Sequence, residues 1–540
     1  MAERDSKGKF DDESAFSVLR RLTFGPRIGD VGWLNTLGLH DWLDAQLAPD
    51  DKQDSELNNR LTAFELPIHY PAGPGTPAGN GVLQNWPAVD TRRPLTLLGA
   101  PIQSTWKLTD RGVAMSDAER HRPRDEVIAA TLIRAVYSRW QLREILVGFW
   151  HNHFNVDAYS SDQITVALPS YDRDVIRAHA LGNFRDMLEA VASSTAMQYY
   201  LSNRSSRSGS ANENYARELF ELHTLGRDAY LNDRYDRWRE VPGADHGKPV
   251  GYIDQDVYEA ARAFTGWTIE DGSRVDNRTQ LPNSGQFTYV ENWHDGYQKR
   301  VLATDFDPFQ APLADGRKVL DLVASHPATA RFIARKLCIR IIGPAVSDRT
   351  VEQTADLFKQ LRHHPRQIAQ VVKAIALSKD FEHRASKVQP PLMLMTNFVR
   401  ATNLEFSPSE GLVNQLSACG QRLFGWPTPN GVPDDDQFWM SANALRQRWG
   451  LLFGLSHNAW NNGVLSTALL EKIDAISPNA ASSYWLSALT GEDDAKTRDA
   501  IVRSLQWSPD QPVAPHAAER QERLARVAAC CALTPAFQQA

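Results

Sequence analysis

Residues 144–154 read Glu-Ile-Leu-Val-Gly-Phe-Trp-His-Asn-His-Phe, and residues 212–226 read Asn-Glu-Asn-Tyr-Ala-Arg-Glu-Leu-Phe-Glu-Leu-His-Thr-Leu-Gly. Both segments repeat apolar residues at helical spacing, and an amphipathic segment at 175–200 lies between them. We expect these three helices to pack as one unit. The sequence therefore predicts a mainly α fold, with one large multi-helical core, long loops and a small β-hairpin insertion.

Apolar periodicity and turn residues divide the chain into four predicted parts. They are an N-terminal helical entry module at 14–55, a long Pro/Gly-rich loop region at 56–124, the helical core with the candidate site and the hairpin insertion at 125–400, and a C-terminal helical region at 401–540. Within the second part, Pro71 to Pro101 predicts one long loop. The hairpin is expected where Trp267-Thr268-Ile269 and Phe287-Thr288-Tyr289-Val290 flank polar turn residues.

The composition is that of an ordinary folded protein, with 540 residues, 42% apolar and 23% charged, and a net charge of −6. That charge gives no overall attraction to nucleic acid or to anionic lipid, so we predict neither as a partner. The four cysteines are too few for a disulfide framework, and we expect reduced thiols. The first residues lack the apolar segment of a secretory signal, so the chain as written is expected in the cytoplasm, and outside it only if a signal had been removed.

The first motif offers a pair of candidate metal ligands, His151 and His153. Glu144 lies two helical turns before His151 and therefore on the same helix face. His151 and His153 would point apart on a helix, so both can bind one ion only if the helix ends near Trp150, and the residues after His153 favour such an end. The alternative is that both rings pack inward and bond backbone carbonyls.

The second motif offers carboxylates to complete that site. Glu218 is the candidate third metal ligand, Glu221 a candidate catalytic carboxylate, and Asn214 and Arg217 are candidate substrate-binding residues on the same predicted helix. The alternative is structural: Asn212 would cap the helix, and Arg217 would pair with a core carboxylate.

A third group follows the predicted hairpin. His294 and Asp295 are candidate catalytic residues, an imidazole with its orienting carboxylate, and Lys299 is a candidate binder of an anionic substrate group. We expect this group to lie across a cleft from the two histidine motifs. The alternative is an ordinary Asp-Gly turn with a solvated lysine.

Several motifs in sequence order resemble a bacterial family catalogued as domain of unknown function 1800. They are Leu22-Thr23-Phe24-Gly25-Pro26-Arg27, Phe149 to Phe154, His179 to Phe184, Asn212 to Gly226, Ala263 to Trp267, His294-Asp295-Gly296 with Lys299, His326 to Ala330, and Gly425-Trp426-Pro427. The resemblance implies no established activity. Members of the family are often exported and often look to be encoded beside a sulfatase-like or phosphatase-like protein. The resemblance therefore implies possible export and a sulfatase-like partner.

The motifs predict a divalent-metal-dependent enzyme, first of all a hydrolase, that holds Zn, Mn or Fe through His151, His153 and a carboxylate, first of all Glu218, with Glu221 and Glu144 as the alternatives. Two alternatives remain: a non-catalytic helical binding or assembly protein, and an iron- or haem-dependent oxidoreductase. Serine hydrolases, NTPases and dinucleotide oxidoreductases are disfavoured, because their nucleophile and phosphate-binding motifs are missing from the sequence.

Overall fold

The computed structural model describes residues 11–77, 83–465, 476–509, 512–513 and 517–539. Helices dominate these residues, and the described strands form only two-stranded antiparallel sheets. The predicted mainly α fold is confirmed. Every helix in the described part is too short or too polar to cross a membrane. All four cysteines are free thiols, as expected.

The entry module begins with a capped helix. The N-terminal helices are α1 (Asp12–Leu22), α2 (Asp30–Leu37), α3 (Leu39–Leu47) and α4 (Ser55–Ala63). Asp11 starts α1 because its side chain accepts a hydrogen bond from the Ser14 amide at 2.8 Å. After α1 the chain turns at Gly25, which has φ of +104° and lies so close to Asn397 that a side chain there would collide.

The segment after α4 departs from the prediction of one long loop at Pro71 to Pro101. Its elements are β1 (Glu65–Tyr70), β2 (Gly73–Pro77), β3 (Leu83–Trp86), β4 (Val89–Pro94) and α5 (Ile102–Trp106). β1 pairs with β4 and β2 with β3. The loop prediction is therefore wrong at these strands. In the pair formed by β1 and β4, Ile68 is the only buried residue. Backbone hydrogen bonds hold these strands together, and their sequences lack the apolar alternation that would have predicted them.

The core helices carry the motifs. They are α6 (Asp117–Tyr137), α7 (Gln141–His153), α8 (Asp162–Ser170), α9 (Phe184–Ser193), α10 (Thr195–Tyr200), α11 (Glu213–Glu218) and α12 (Asp254–Ala263). Two of them continue as π-helical turns, α8 into Tyr171–Arg177 and α11 into Leu219–His223. The second motif is therefore helical as predicted, but only its first half is an α-helix.

The predicted hairpin is confirmed between Trp267 and Tyr289, which face each other in an antiparallel pair. The strands here are β5 (Trp267–Asp271), β6 (Asn283–Tyr289), β7 (Lys299–Val301) and β8 (Thr304–Phe306). The helices that follow are α13 (Ala314–Ser325), α14 (Pro327–Ile341), α15 (Asp348–Gln360), α16 (Gln367–Ala376), α17 (Lys379–Glu382) and α18 (Pro391–Ala401).

The C-terminal region is helical as well. Its helices are α19 (Glu410–Ala418), α20 (Asp436–Trp439), α21 (Ala442–Ser456), α22 (Pro478–Thr490), α23 (Ala495–Leu505), α24 (Ala517–Ala532) and α25 (Pro535–Gln538). Two large apolar clusters fill the interior, and α6 contributes Val127 to one and Leu132 to the other. The second cluster joins α18 to the C-terminal helices. The four-part division of the chain stays a prediction.

Candidate functional site

A cavity of about 380 Å³ lies beside the C-terminal end of α7. Its wall is formed by α7, α14, the start of α18 and residues from the segment 421–434. The charged side chains in its lining are Glu144, Arg177, Lys336, Arg340, Arg422 and Asp434. His151, Asn152 and His153 of the first motif line it too, so the motif contributes to a concave site.

The first motif stays helical to its end. The Phe154 amide donates to the Trp150 carbonyl oxygen at 2.9 Å, and α7 ends at His153. The expectation that the helix stops near Trp150 is therefore wrong. Trp150 and Phe154 are fully buried, and burial of their rings outweighs the weak helix propensity of the sequence here. Residues two apart on a helix point about 200° apart, so His151 and His153 meet different neighbours.

Both ring nitrogens of His153 are engaged. Nε2 lies 3.1 Å from the carbonyl oxygen of His223, and Nδ1 lies 2.8 Å from Nζ of Lys336. A carbonyl oxygen can only accept, so Nε2 carries the proton and Nδ1 accepts a hydrogen bond from the Lys336 ammonium. Burial, and then the charges of Lys336 and His223, lower the pKa of His153 well below its ordinary value. The ring is therefore neutral at pH 7.

Lys336 lies on α14 and lines the cavity. Its contacts are His153 and the face of the Phe332 ring, whose centroid is 5.4 Å from Nζ. Within the described residues, no carboxylate forms an ion pair with it. Burial lowers the pKa of Lys336 to about 8, against the opposing charge of Asp434. A half-buried ammonium without a carboxylate ion pair among the described residues is only partly compensated, so this lysine is a candidate functional group.

Arg340 lies four residues further along α14, on the same helix face, and also lines the cavity. Its Nη2 donates to Sδ of Met393 at 3.1 Å, and in the described part of the chain it forms no ion pair with a carboxylate. Burial lowers its pKa and Asp434 raises it. Asp434 itself is paired with Lys387 at 2.6 Å. The cavity thus holds two cations whose charges are incompletely balanced.

Asn152 and Asn155 fasten the 421–434 segment to α7. The Asn152 side chain accepts a hydrogen bond from the Val432 amide at 2.7 Å and donates to the Val432 carbonyl oxygen at 2.9 Å. Asn155 donates to the carbonyl oxygens of Trp426 and Thr428, each at 2.9 Å. Asn152 of the first motif and Asn155, just after it, therefore build one wall of the cavity.

His151 belongs to a buried charge network with Asp172, Arg177 and Glu144, and three of these residues, His151, Arg177 and Glu144, also line the cavity. Nε2 of His151 lies 2.9 Å from Asp172, which Arg177 also contacts at 2.9 Å. Arg177 reaches Glu144 at 2.7 Å, so the predicted common face of Glu144 and His151 is confirmed. Burial raises the pKa of Asp172, but Arg177, the hydrogen bond from His151 and then Arg134 outweigh burial, and the net pKa is lowered. The network holds the π-helical turn of Tyr171–Arg177 against α7.

The carboxylates of the second motif, Glu218 and Glu221, take no part in the hydrogen bonds of His151 and His153. Glu221 pairs with Arg227. Glu218 is half-buried, and burial followed by the neighbouring charge of Glu221 raises its pKa. Neither glutamate lines the cavity among the residues described.

The candidate substrate-binding residues of this motif have partners within the protein. Arg217 donates to Asp254 at 3.1 Å, which is the structural alternative stated for it. The Asn214 side chain donates to the Leu201 carbonyl oxygen at 3.3 Å, and its amide donates to the Asn212 cap at 3.0 Å. The predicted cap is confirmed, and the substrate-binding role of both residues stays a prediction.

The third group forms a separate cluster. Nε2 of His294 lies 3.2 Å from Asp315, and Lys299 contacts the same oxygen at 2.6 Å. Asp295 instead holds Arg262 through two hydrogen bonds of 2.8 and 3.0 Å. The orienting carboxylate of His294 is therefore Asp315 of α13, and none of His294, Asp295 and Lys299 lines the α7 cavity among the described residues. Their catalytic and substrate-binding roles stay a prediction.

The proposed metal ligands do not fit one ion in this arrangement. Among the described residues, the one group of three at metal-ligand spacing is His40, Asp41 and Asp44, which are exposed. His151, His153 and Glu218 do not form such a group, and an ammonium already occupies Nδ1 of His153. Metal dependence stays a prediction from the sequence.

Sequence reasoning missed Lys336 and Arg340. The segment 331–340 reads Arg-Phe-Ile-Ala-Arg-Lys-Leu-Cys-Ile-Arg, and its cations look like one solvated face. Arg331 and Arg335 are indeed exposed, whereas Lys336 and Arg340 are half-buried. Their spacing of four residues beside the apolar positions of α14 was the available signal.

Comparison with known protein families gives a match that includes the residues that line this cavity. The family model described as Protein of unknown function (DUF1800) matches residues 17–539. The chain belongs to this family. No curated protein and no solved structure matches it. Membership in DUF1800, a family of unknown function, assigns no chemistry to the cavity.

Proposed function

We propose that the protein binds a small organic anion in the cavity beside His153 and acts on it there. The observation that carries this proposal is that Lys336 and Arg340 line one cavity and neither has a carboxylate partner in the described residues. The negative charge of Asp434 partly balances Lys336 and Arg340, but Asp434 also forms an ion pair with Lys387.

Lys336 and Arg340 are half-buried, so each has lost part of its hydration. Complete removal of a cation from water without a partner costs several kcal/mol, and partial removal costs a fraction of that. His153 and Met393 provide only neutral acceptors, which offset part of that cost. An anionic group of a ligand would offset the remainder, and a guanidinium binds carboxylate, sulfate or phosphate oxygens through two parallel hydrogen bonds.

The rest of the wall indicates that the ligand has an apolar body. Ile145, Leu392, Met393, Phe424 and Trp439 line the cavity. A volume of about 380 Å³ is within the range of small-molecule sites, and such sites combine an apolar wall with a few placed polar groups. Inorganic phosphate or sulfate alone would leave this wall in contact with water.

Lys336 is the group that we assign to proton transfer with the ligand. Its pKa near 8 allows both the ammonium and the amine to be present close to neutral pH. Metal-dependent hydrolysis, predicted from the sequence, would place a divalent ion in a cavity whose described lining has four cationic side chains and two carboxylates, and this excess of like charge raises the free energy of such a complex. The buried His151–Asp172 contact favours a structural role for that part of the motif, as in the non-catalytic alternative.

A charge-matched ligand pair tests the proposal. Hexanoate and hexanamide differ mainly in charge, and we expect hexanoate alone to raise the melting temperature of the protein at saturating concentration. Arg340→Met should abolish most of that rise. Arg335→Met, an exposed position on the same helix, is the matched control and should preserve it. Equal effects of the two ligands on the wild-type protein would refute an anion site.

A further inference from the structure

We propose that Lys336 forms an imine with a 2-oxo acid whose carboxylate is bound by Arg340. This inference rests on the proposed function, since it names the class of organic anion and the reaction. Its structural basis is one helix face that presents an amine and a guanidinium to the same cavity, together with a neutral imidazole that fixes the amine.

The spacing of Lys336 and Arg340 suits a ligand with two adjacent functional groups. Residues four apart on a helix have Cβ atoms about 5–6 Å apart on one face. A carboxylate on Arg340 would therefore place the neighbouring carbon of the same small molecule beside Lys336. In a 2-oxo acid that carbon is a carbonyl, the electrophile that a lysine amine attacks.

His153 determines how the amine is presented. Its Nδ1 is an acceptor, because Nε2 donates to the His223 carbonyl oxygen. A neutral Lys336 amine must therefore direct one N–H towards Nδ1, which leaves its lone pair free to point elsewhere. Burial also lowers the pKa of Lys336, which favours the neutral amine.

The reaction is balanced without a further reagent. Lys336 loses a proton to solvent, and its lone pair attacks the carbonyl carbon to give a carbinolamine. The carbinolamine expels its hydroxyl group as water after proton transfer, and a C=N bond replaces the C=O bond. The protonated imine retains one N–H, which can still donate to Nδ1 of His153. The positive charge of the original ammonium is therefore conserved beside Asp434.

Reductive trapping tests the imine. The full-length protein is incubated at pH 8 with 2-oxohexanoate and cyanoborohydride, and the modified lysine is located by peptide mass spectrometry. We expect the reduced adduct on Lys336 well before any adduct on the exposed Lys359. Hexanoate, which has the same chain length and no 2-oxo group, should suppress the labelling of Lys336 by competition.

Lys336→Arg separates charge from nucleophilicity. It keeps a cation and should still bind hexanoate, but it cannot form the adduct, whereas Lys359→Arg should label like the wild-type protein. If Lys336→Arg does not fold, suppression by hexanoate in the wild-type protein gives the same information. Hexanoate binding with no adduct on Lys336, or with labelling spread evenly over exposed lysines, would overturn the imine and leave the anion site standing. Failure of hexanoate to bind would remove both.

Discussion

Nζ of Lys336 lies 2.8 Å from Nδ1 of His153, and this contact joins α14 to the end of α7 across one wall of the cavity. The two residues are 183 positions apart in the chain. Lys336 forms no ion pair with a carboxylate in the part of the chain that the structure describes, and both ring nitrogens of His153 are engaged. This arrangement is the reason why the first motif is better explained as part of an anion site than as a pair of metal ligands.

His153→Phe should destabilise the protein by several kcal/mol, because it leaves both Lys336 and the His223 carbonyl unpaired at about 1–3 kcal/mol each. Phe preserves the ring contact with Phe149, whose centroid lies 6.1 Å from the imidazole. Urea denaturation measures the loss in free energy of unfolding. In combination with Lys336→Met the loss should be smaller than the sum of the single losses, since the double variant has no unpaired ammonium. Strict additivity would show that the two groups do not interact.

Lys336 should make stability depend on pH above neutrality. Its folded-state pKa, about 8, lies below the ordinary lysine value of roughly 10.4, so the unfolded chain binds more protons between these values. The free energy of unfolding contributed by this group therefore rises with pH across that window. We expect Lys336→Met to flatten the rise, by on the order of 1–3 kcal/mol between pH 8 and 10.

Lys359→Met is the matched control for this measurement, because Lys359 is exposed on the neighbouring helix α15. Denaturant unfolding at several pH values gives both profiles. Identical slopes for Lys336→Met and the wild-type protein would mean that Lys336 titrates as an ordinary lysine.

Asp172→Asn should lower stability at pH 7 by about 3–5 kcal/mol, because Arg177 and Arg134 would lose a buried carboxylate partner. The folded-state pKa of Asp172 is lowered, so its contribution is complete above the unfolded value near 4 and is lost as the pH falls below it. The wild-type protein should consequently lose stability more steeply than Asp172→Asn below about pH 4. Asp174→Asn, at an exposed neighbouring position, should follow the wild-type curve in acid unfolding monitored by circular dichroism.

The sequence predicts the architecture better than it predicts the site. Helical periodicity is a local signal, and it located the helices that carry both motifs. Other local signals, a capping residue and strand-forming residues around a polar turn, located the Asn212 cap and the hairpin at Trp267. The contact between His153 and Lys336 depends on two helices distant in sequence, so no local pattern contains it. The spacing of His151 and His153 shows whether the two rings point the same way only when the end of the helix is known. The burial of Trp150 and Phe154 decides where that helix ends.

Metal removal offers a direct comparison with the metal-dependent hydrolase predicted from the sequence. Because His153 is occupied at both nitrogens and His151 faces Asp172, we expect chelator treatment to leave the melting temperature unchanged. Elemental analysis of protein purified without chelator should give the same metal content for the wild-type protein and for His151→Ala. Stoichiometric metal that His151→Ala or His153→Ala removes would instead support the ligands predicted from the sequence.

The anion site at Lys336 and Arg340 is tested most directly by calorimetric titration of hexanoate into the wild-type protein, Arg340→Met and the control Arg335→Met. A hydrogen-bonded charge pair contributes about 1.5–3 kcal/mol, which is roughly a ten- to hundredfold change in Kd. We predict that Arg340→Met weakens hexanoate binding by at least about tenfold, while Arg335→Met binds as the wild-type protein does. Equal Kd values for all three proteins, or no binding to the wild-type protein, would contradict an anion site at Lys336 and Arg340.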